Sequence, residues 1–247
     1  MRAPLVVILV SAFAFAGCLD GRTTYGNPGT RLSWEQAFLV DDPLPGLVVE
    51  IEAVDGYAPS LVILDEVSQR IQQVVMKQHV VILPVAPLES PGNLDADETR
   101  ALAGRTLNTG DGSMMGDGQN AVVHILFLDG ERSDFQGDAA GTYFGFGIIA
   151  LYPDEWRLAG GVAFEDRFML EVMTHELGHA FGLVNNGLPM ARDHEDPDSR
   201  GHSSNPKSVM ANGIGLVELY VEEIPPIHDP QEAYAFDVDD LADIRAF

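Results

Sequence analysis

Residues 173–183 read MTHELGHAFGL and constrain the fold of this chain more than any other stretch of its sequence. His175 and His179 are four residues apart, so on a helix they lie one turn apart on the same face and can bind one metal ion. Phe168 and Val172 precede them at helical spacing, which indicates that this face is turned toward the core. The stretch therefore predicts an inward-facing helix that carries two metal ligands.

Glu176 adds a third functional group to this helix. It follows the first histidine, so it projects beside the open coordination position of a bound ion and can accept a proton from water. Gly182 stands where helices often end in a left-handed residue, and there the chain can turn back under the metal. A surface helix with incidental histidines is the alternative, and the inward stripe argues against it. The pattern is that of a zinc hydrolase.

The run HELGHAFGL, which starts at His175, resembles the signature of the metzincin metallopeptidases, H-E-x-x-H-x-x-G-x-x followed by a third metal ligand. A catalytic zinc normally has three protein ligands and one water. In the common metzincin spacing the third ligand falls at Asn185. Because a neutral amide is a poor zinc ligand, a second candidate is needed farther along the chain.

The run HSSNPKSVM, residues 202–210, resembles the archaemetzincin stretch in which a histidine ligand precedes two cysteines and the methionine of the Met-turn. Ser203 and Ser208 stand at the cysteine positions, while His202 and Met210 stay in register. The resemblance implies that His202 is the third zinc ligand and that Met210 lies beneath the metal. Residues 184–201 then form an insertion.

Other ligand assignments stay open. Asn185 and His194 are the alternatives to His202 as third ligand. A second, structural zinc on cysteines is known in archaemetzincins, but Cys18 is the only cysteine here, so one zinc ion is expected. An acidic cluster in the insertion could hold calcium: Asp193, Glu195, Asp196 and Asp198. Three histidines have no partner at ligand spacing and are interpreted as structural or surface residues: His79, His124 and His228.

The N-terminal residues predict export. Residues 1–17 have one positive charge before a short apolar run, which is typical of a signal peptide. Residues 15–18 read FAGC and resemble the bacterial lipobox, in which the cysteine is lipidated. We therefore expect a lipid anchor on Cys18, a tether over residues 18–46 and a metallopeptidase domain over residues 47–247. The expected location is the bacterial cell envelope, on the outer membrane or cell surface, with free secretion as the alternative.

The rest of the sequence predicts an α/β domain. Strands are predicted at 47–54, 80–83, 121–128 and, as one or two strands, 142–152; helices are predicted after Ser60, over 95–107 and after Asp237. By resemblance to metzincins, the fold is a zincin domain with a twisted mixed sheet over the active-site helix, a Met-turn and a C-terminal helix. Residues 141–147 would then be the edge strand that pairs with an extended substrate, although their glycines could also serve only packing.

Composition limits the partners. The chain has 247 residues and 46% hydrophobic content, enough to bury a core as one domain or at most two. Its formal net charge is −24 at pH 7, so nucleic acid is excluded as a partner, because the chain could not displace the counterions of phosphates.

The predicted function is that of a zinc metalloendopeptidase with a protein or peptide substrate. Glu176 would activate a zinc-bound water, which would attack the peptide carbonyl. The alternative is a non-catalytic surface lipoprotein that keeps a zincin fold for binding. The doubtful third ligand favours that alternative, and metal content would separate the two.

Overall fold

The computed structural model describes residues 33–109, 118–135, 139–155, 165–212 and 234–247. Its helices are α1 (Trp34–Leu39), α2 (Leu61–Val74), α3 (Ala96–Thr106), α4 (Glu165–Ala180) and α5 (Val238–Ala246). Its strands are β1 (Gly46–Val54), β2 (His79–Ile82), β3 (Ala86–Leu88), β4 (Asn120–Phe127), β5 (Gly141–Tyr143), β6 (Ile148–Leu151), β7 (Glu195–Asp196) and β8 (Ser199–Ser203). None of the helices in the described ranges is long and apolar enough to cross a bilayer.

Six strands form one mixed sheet, in the order β2-β1-β4-β6-β5, with β3 paired to the second half of β1. The described pairings in this sheet are parallel except that of β5 with β6. The predicted α/β class with a mixed sheet is therefore confirmed. The structure also places β5, which lies within the predicted edge segment 141–147, at one edge of the sheet.

The larger part of the core lies on one face of the sheet. Alternate residues of the two central strands point to this face, because successive side chains of a strand alternate between faces. These buried residues are Leu47, Val49, Ile51 and Ala53 of β1, and Ala121, Val123, Ile125 and Phe127 of β4. Helices α2 and α4 pack against each other on this side, and α4 also contacts β5 and β6. Helix α4 is thus fixed beside the edge strand.

Helix α1 belongs to the folded domain. Its N-terminus has a capping box, in which the Ser33 hydroxyl accepts from the Gln36 backbone N–H and the Gln36 side chain accepts from Ser33 N–H. Trp34 and Phe38 are buried in the main core, and the Trp34 ring lies 5.4 Å from the ring of Phe146. Residues 33–46, which the sequence assigned to the tether, therefore pack into the domain, because their apolar side chains gain more from burial than from exposure.

The helix ends follow the sequence signals. Side chains of Ser60, Asp95 and Asp237 accept hydrogen bonds from backbone N–H groups in the first turns of α2, α3 and α5. Helix α4 ends at Ala180, and Gly182 has a φ of 82°. The predicted glycine turn after the histidines is therefore confirmed.

Several sequence predictions fall outside the described residues. These are the signal peptide (1–17), the lipidation site at Cys18, most of the predicted tether and His228.

Candidate metal centre

Two histidines of α4 form the first half of the site. His175 and His179 are one turn apart, with ring centroids separated by 4.6 Å and ring planes at 88°. Their Nε2 atoms lie 3.0 Å apart. Both side chains are buried. The helical spacing therefore puts two imidazole nitrogens at one point inside the domain, as the sequence predicted.

The third histidine directly follows the insertion of residues 184–201. Strands β7 and β8 form an antiparallel hairpin, and His202 lies on β8. Its ring centroid is 5.2 Å from that of His175 and 5.0 Å from that of His179. One nitrogen from each ring falls within 4.8 Å of the others. The hairpin thus returns the chain to α4 and completes a group of three histidines.

The rings on α4 are held by contacts at Nδ1. The Nδ1 of His175 lies 2.7 Å from the backbone carbonyl of Val209, which accepts its proton. The side-chain amide nitrogen of Asn186 lies 2.7 Å from Nδ1 of His179 and donates to the Gly201 carbonyl at 3.0 Å. Because Nδ1 is engaged from outside in each ring, Nε2 is the atom directed into the cluster.

The ring of His202 is held in the same way. Its Nδ1 lies 3.0 Å from the Ser199 hydroxyl and 3.2 Å from the Arg200 carbonyl. Its Nε2 is buried and has no hydrogen-bond partner among the described residues. A buried nitrogen without a partner is costly unless something else satisfies it. The three Nε2 atoms together fit a tetrahedral zinc ion, which takes histidine nitrogen at about 2.0–2.1 Å and leaves a fourth position open.

Burial keeps the three imidazoles neutral. Burial, reinforced by the nearby His202, lowers the pKa of His175 to about 3. Burial also lowers the pKa of His179 well below its usual value and lowers that of His202. Only a neutral imidazole can donate a lone pair to a metal. At neutral pH the site therefore needs no deprotonation of these rings to bind a cation.

Glu176 lies between the histidines and the edge strand. It is 2% exposed. Burial raises the pKa of its carboxyl to about 8, and a backbone hydrogen bond from Tyr143 of β5 acts in the opposite direction. A Cβ added at Gly141 would lie 3.0 Å from Cγ of Glu176. The carboxyl group is therefore beside the edge strand, in a position to exchange a proton.

The two alternative ligands lie elsewhere. Asn185 is exposed, and its side chain donates to the Glu195 carboxylate at 3.3 Å. His194 is buried, and its Nε2 lies 2.9 Å from Oδ2 of Asp243. Of the three candidates, the structure brings only His202 to the histidine pair.

Met210 packs against α4 at Gly178. It is fully buried, and a Cβ added at Gly178 would collide with its Sδ. Its carbonyl accepts from the Ser203 backbone N–H at 2.8 Å, and its N–H donates to the Ser208 hydroxyl at 2.9 Å. Ser203 and Ser208 thus fix the backbone around Met210.

Two acidic residues of the insertion stabilise the β7–β8 hairpin by accepting backbone hydrogen bonds. Glu195 accepts from the Gly201 backbone N–H at 2.7 Å, and Asp196 accepts from the Asp198 N–H at 2.9 Å. Within the described part of the chain, these acids are not among the groups close enough to hold a metal ion. The calcium hypothesis therefore gains no support.

Asn186 is a site residue that the sequence reading missed. The common metzincin spacing puts a ligand at Asn185, whereas in the structure the next residue contacts His179. The signal in the sequence is a polar residue four positions after the glycine that ends the helix, within reach of the last helical turn.

No protein family model matches the chain, and no curated protein matches it. Solved structures that match include an archaemetzincin from Methanopyrus kandleri (17% identity, TM-score 0.46, 82% of this chain and 95% of that one). Others are an archaemetzincin from Archaeoglobus fulgidus complexed with malonate (12%, 0.42, 80% and 99%) and a zinc-dependent peptidase from Methanocorpusculum labreanum (17%, 0.45, 80% and 99%). Because these identities and TM-scores are low, we derive the function from the geometry of the site.

Proposed function

We propose that this protein is a zinc-dependent endopeptidase, in which His175, His179 and His202 hold the ion and Glu176 is the general base. The observation that supports this most is the orientation of the three rings. Each has its Nδ1 held from outside by another group and its Nε2 directed into one buried cluster. Packing alone does not require three neutral imidazoles to converge in this way, whereas a metal does.

The chemistry follows from the position of Glu176. A zinc ion held by the histidines would supply a Lewis acid that polarises the scissile carbonyl and acidifies the attacking water. The Glu176 carboxylate takes a proton from that water and returns it to the nitrogen of the leaving amine. A zinc ion held by the histidines would favour the ionised form of Glu176 and so would lower the pKa that burial raises.

Strand β5 is the proposed substrate-binding strand. Phe144 and Tyr152 donate backbone N–H groups across the β5–β6 ladder, so Gly141 and Tyr143, at alternate positions, direct theirs away from β6. Tyr143 uses its N–H to hold Glu176. An extended peptide that added to this edge would gain backbone hydrogen bonds and lie beside the general base.

The test of this function is Glu176→Gln. The variant keeps shape and volume but loses the base, so we expect zinc at the histidine centre to be retained and cleavage of a mixed peptide library to be abolished. Asp166→Asn, on an exposed residue of the same helix, is the matched control and should cleave as the wild type does. Cleavage within peptides, rather than only at their ends, would support the endopeptidase assignment.

Proteolysis that persists in purified Glu176→Gln would show that the mechanism is wrong. Wild-type protein without zinc at the histidines, and without activity after zinc is added, would instead support the non-catalytic binding protein. The geometry does not favour that alternative, because its main argument was a doubtful third ligand and His202 lies beside the other two histidines.

We also propose that Cys18 carries a lipid that anchors the protein to the bacterial cell envelope. Support comes from the sequence alone, namely the FAGC motif after a short apolar run. Cys18→Ser should move the protein from the membrane fraction to the soluble fraction in the native host. An unchanged distribution between the two fractions would contradict the anchor.

A further inference from the structure

A second group of ionisable side chains lies on the opposite face of the sheet from the main core. Glu50 and Glu52 are two residues apart on β1, so both point to the same face. His124 on β4 is the ladder partner of Glu50. One ligand atom from each of the three side chains lies within 4.8 Å of the other two. The register of the β1–β4 pairing therefore brings together Glu50 and His124, which are 74 positions apart in sequence.

All three side chains are inside the protein. Glu50 and Glu52 are each 3% exposed, and His124 is fully buried. Two carboxylates removed from water are strongly destabilising unless a positive charge compensates them. Within the described ranges, neither glutamate forms an ion pair with a Lys or Arg side chain. The one ion-pair contact is with His124, whose Nε2 lies 3.4 Å from Oε2 of Glu52.

Glu50 is held in its ionised form. Its Oε1 accepts from the backbone N–H of Asn108 at 2.7 Å, and its Oε2 accepts from the backbone N–H of Thr109 at 2.9 Å and from the Thr109 hydroxyl. Burial acts to raise the pKa of Glu50, but these hydrogen bonds and the nearby His124 together outweigh it, and the pKa lies below the usual value. The Asn108 side-chain amide also donates to Oε1 at 3.1 Å, so a cation at Glu50 would replace this longest of the four hydrogen bonds.

Glu52 and His124 have buried polar atoms that lack a hydrogen-bond partner in the described part of the chain. These atoms are Oε2 of Glu52 and both ring nitrogens of His124. Native proteins rarely leave such atoms unsatisfied, and an ion is one of the ordinary reasons for it. Oε2 of Glu52 and Nε2 of His124 face each other at 3.4 Å without making a hydrogen bond, and a cation between them would satisfy both atoms.

We propose that Glu50, Glu52 and His124 form a second metal site, which holds a divalent first-row transition metal ion such as Zn²⁺ or Mn²⁺. Two carboxylates and one neutral imidazole carry a charge of −2, which one divalent cation neutralises. A mixed nitrogen and oxygen donor set suits these ions, whereas Ca²⁺ and Mg²⁺ prefer oxygen alone and Cu(I) prefers sulfur. The site is separate from the histidine centre, which lies on the α4 side of the sheet.

The role of this ion is structural. It would join β1 to β4 at the middle of the sheet, and through Glu50 it would also fix the segment that follows α3. A ligand that binds only the folded state raises stability with its concentration. The sequence predicts one zinc ion, because the second zinc of archaemetzincins is held by cysteines and Cys18 is the only cysteine of this chain. The proposed second site uses no cysteine.

The number of metal ions bound per full-length chain tests the proposal. The protein is stripped with a chelator, equilibrated with ZnCl₂, passed through a desalting column and analysed for metal by mass spectrometry. We expect two equivalents for the wild type and one for the variant His175→Ala/His179→Ala. One equivalent for the wild type and none for that variant would overturn the second site and leave the proposed function intact.

The location of the second equivalent is tested in the His175→Ala/His179→Ala background. Adding Glu52→Gln or His124→Gln should remove the remaining equivalent and abolish the rise in melting temperature that Zn²⁺ or Mn²⁺ produces. His79→Gln is the matched control, since His79 lies on the same sheet, is exposed and lies 2.9 Å from Asn120. An equivalent that persists in both Glu52→Gln and His124→Gln lies elsewhere and overturns the assignment. Should the added variants fail to fold, the wild-type stoichiometry and that of the two-histidine variant decide the question.

Discussion

The ring of His202 is stacked on the ring of His175, with centroids 5.2 Å apart and planes 20° apart. The two residues come from different elements, a hairpin strand and a helix, separated by the insertion of residues 184–201. The contact shows that the insertion does not displace the third histidine, because β7 and β8 fold back and deliver it to α4.

The first prediction concerns this third histidine. His202→Ala removes one of three converging nitrogens, so the zinc affinity of the histidine centre and peptidase activity should fall by at least a hundredfold. A two-histidine site is under-coordinated for zinc. Competition with a chromophoric chelator measures the affinity, and peptide cleavage measures the activity.

His194→Ala is the comparison for that experiment. His194 is buried and bound to Asp243, so its loss should reduce stability but leave zinc at the histidine centre. Severe zinc loss in His194→Ala with an intact centre in His202→Ala would contradict the ligand assignment.

A second prediction concerns Asn186, which contacts His179 on the side away from the cluster. Asn186→Ala should weaken zinc binding about tenfold to a hundredfold, the usual effect of removing the group that orients a histidine ligand. The exposed Asn185 is the matched control, and Asn185→Ala should bind zinc as the wild type does. Equal effects of the two substitutions would show that Asn186 does not position the ring.

Much of the fold is readable from local sequence signals. The helix predicted over 95–107 is observed as Ala96–Thr106, and the strand predicted at 47–54 is observed as Gly46–Val54. These elements are encoded by capping side chains and hydrophobic periodicity, which act over a few residues. The pair His175 and His179 was predictable for the same reason, because one helical turn relates them.

What the sequence did not reveal depends on contacts between distant segments. Glu50 and His124 meet only because β1 pairs with β4 in one particular register, and the sequence does not specify that register locally. The burial of Phe38 likewise depends on the packing of α1 against the rest of the core. The local sequence does not specify this packing, so the prediction of a tether over residues 33–46 is wrong. In both cases, contacts between segments distant in sequence decide the structure, and the local sequence does not specify them.

A third prediction tests the packing of Met210 against α4. A Cβ at Gly178 would collide with Sδ of Met210 and approach Cε1 of Phe236 at 3.0 Å. Gly178→Ala should therefore lower the free energy of unfolding by about 1–3 kcal/mol, the usual cost of overpacking. Urea denaturation of the purified protein measures this.

Gly104→Ala is the matched control, because Gly104 lies in α3 with no atom within 4 Å of an added Cβ. This substitution should raise the free energy of unfolding by about 0.5–1 kcal/mol, since alanine is the better helix former. If both substitutions stabilised the protein, the turn around Met210 would not be tightly packed against the helix.

The last prediction concerns Asp240, a fully buried carboxyl group in the first turn of α5. Oδ2 accepts from the Ser208 hydroxyl at 2.6 Å, and Oδ1 is 3.8 Å from Nδ1 of His194. Burial raises the pKa of Asp240 from 3.8 to about 6, although the hydrogen bond from Ser208 opposes this. The folded state therefore binds this proton more tightly than the unfolded chain does.

The sign of the pH effect follows from that difference. The contribution of Asp240 to stability is fully present below pH 3.8 and is lost as the pH rises through about 6. A tenfold change in proton affinity corresponds to about 1.4 kcal/mol, so the loss amounts to roughly 3 kcal/mol at most. Asp240→Asn stays neutral at every pH, so relative to the wild type it should gain stability between pH 4 and pH 7. Urea denaturation of both proteins across this range checks the trend, and a stability difference that does not change with pH would show that Asp240 titrates normally in the folded protein.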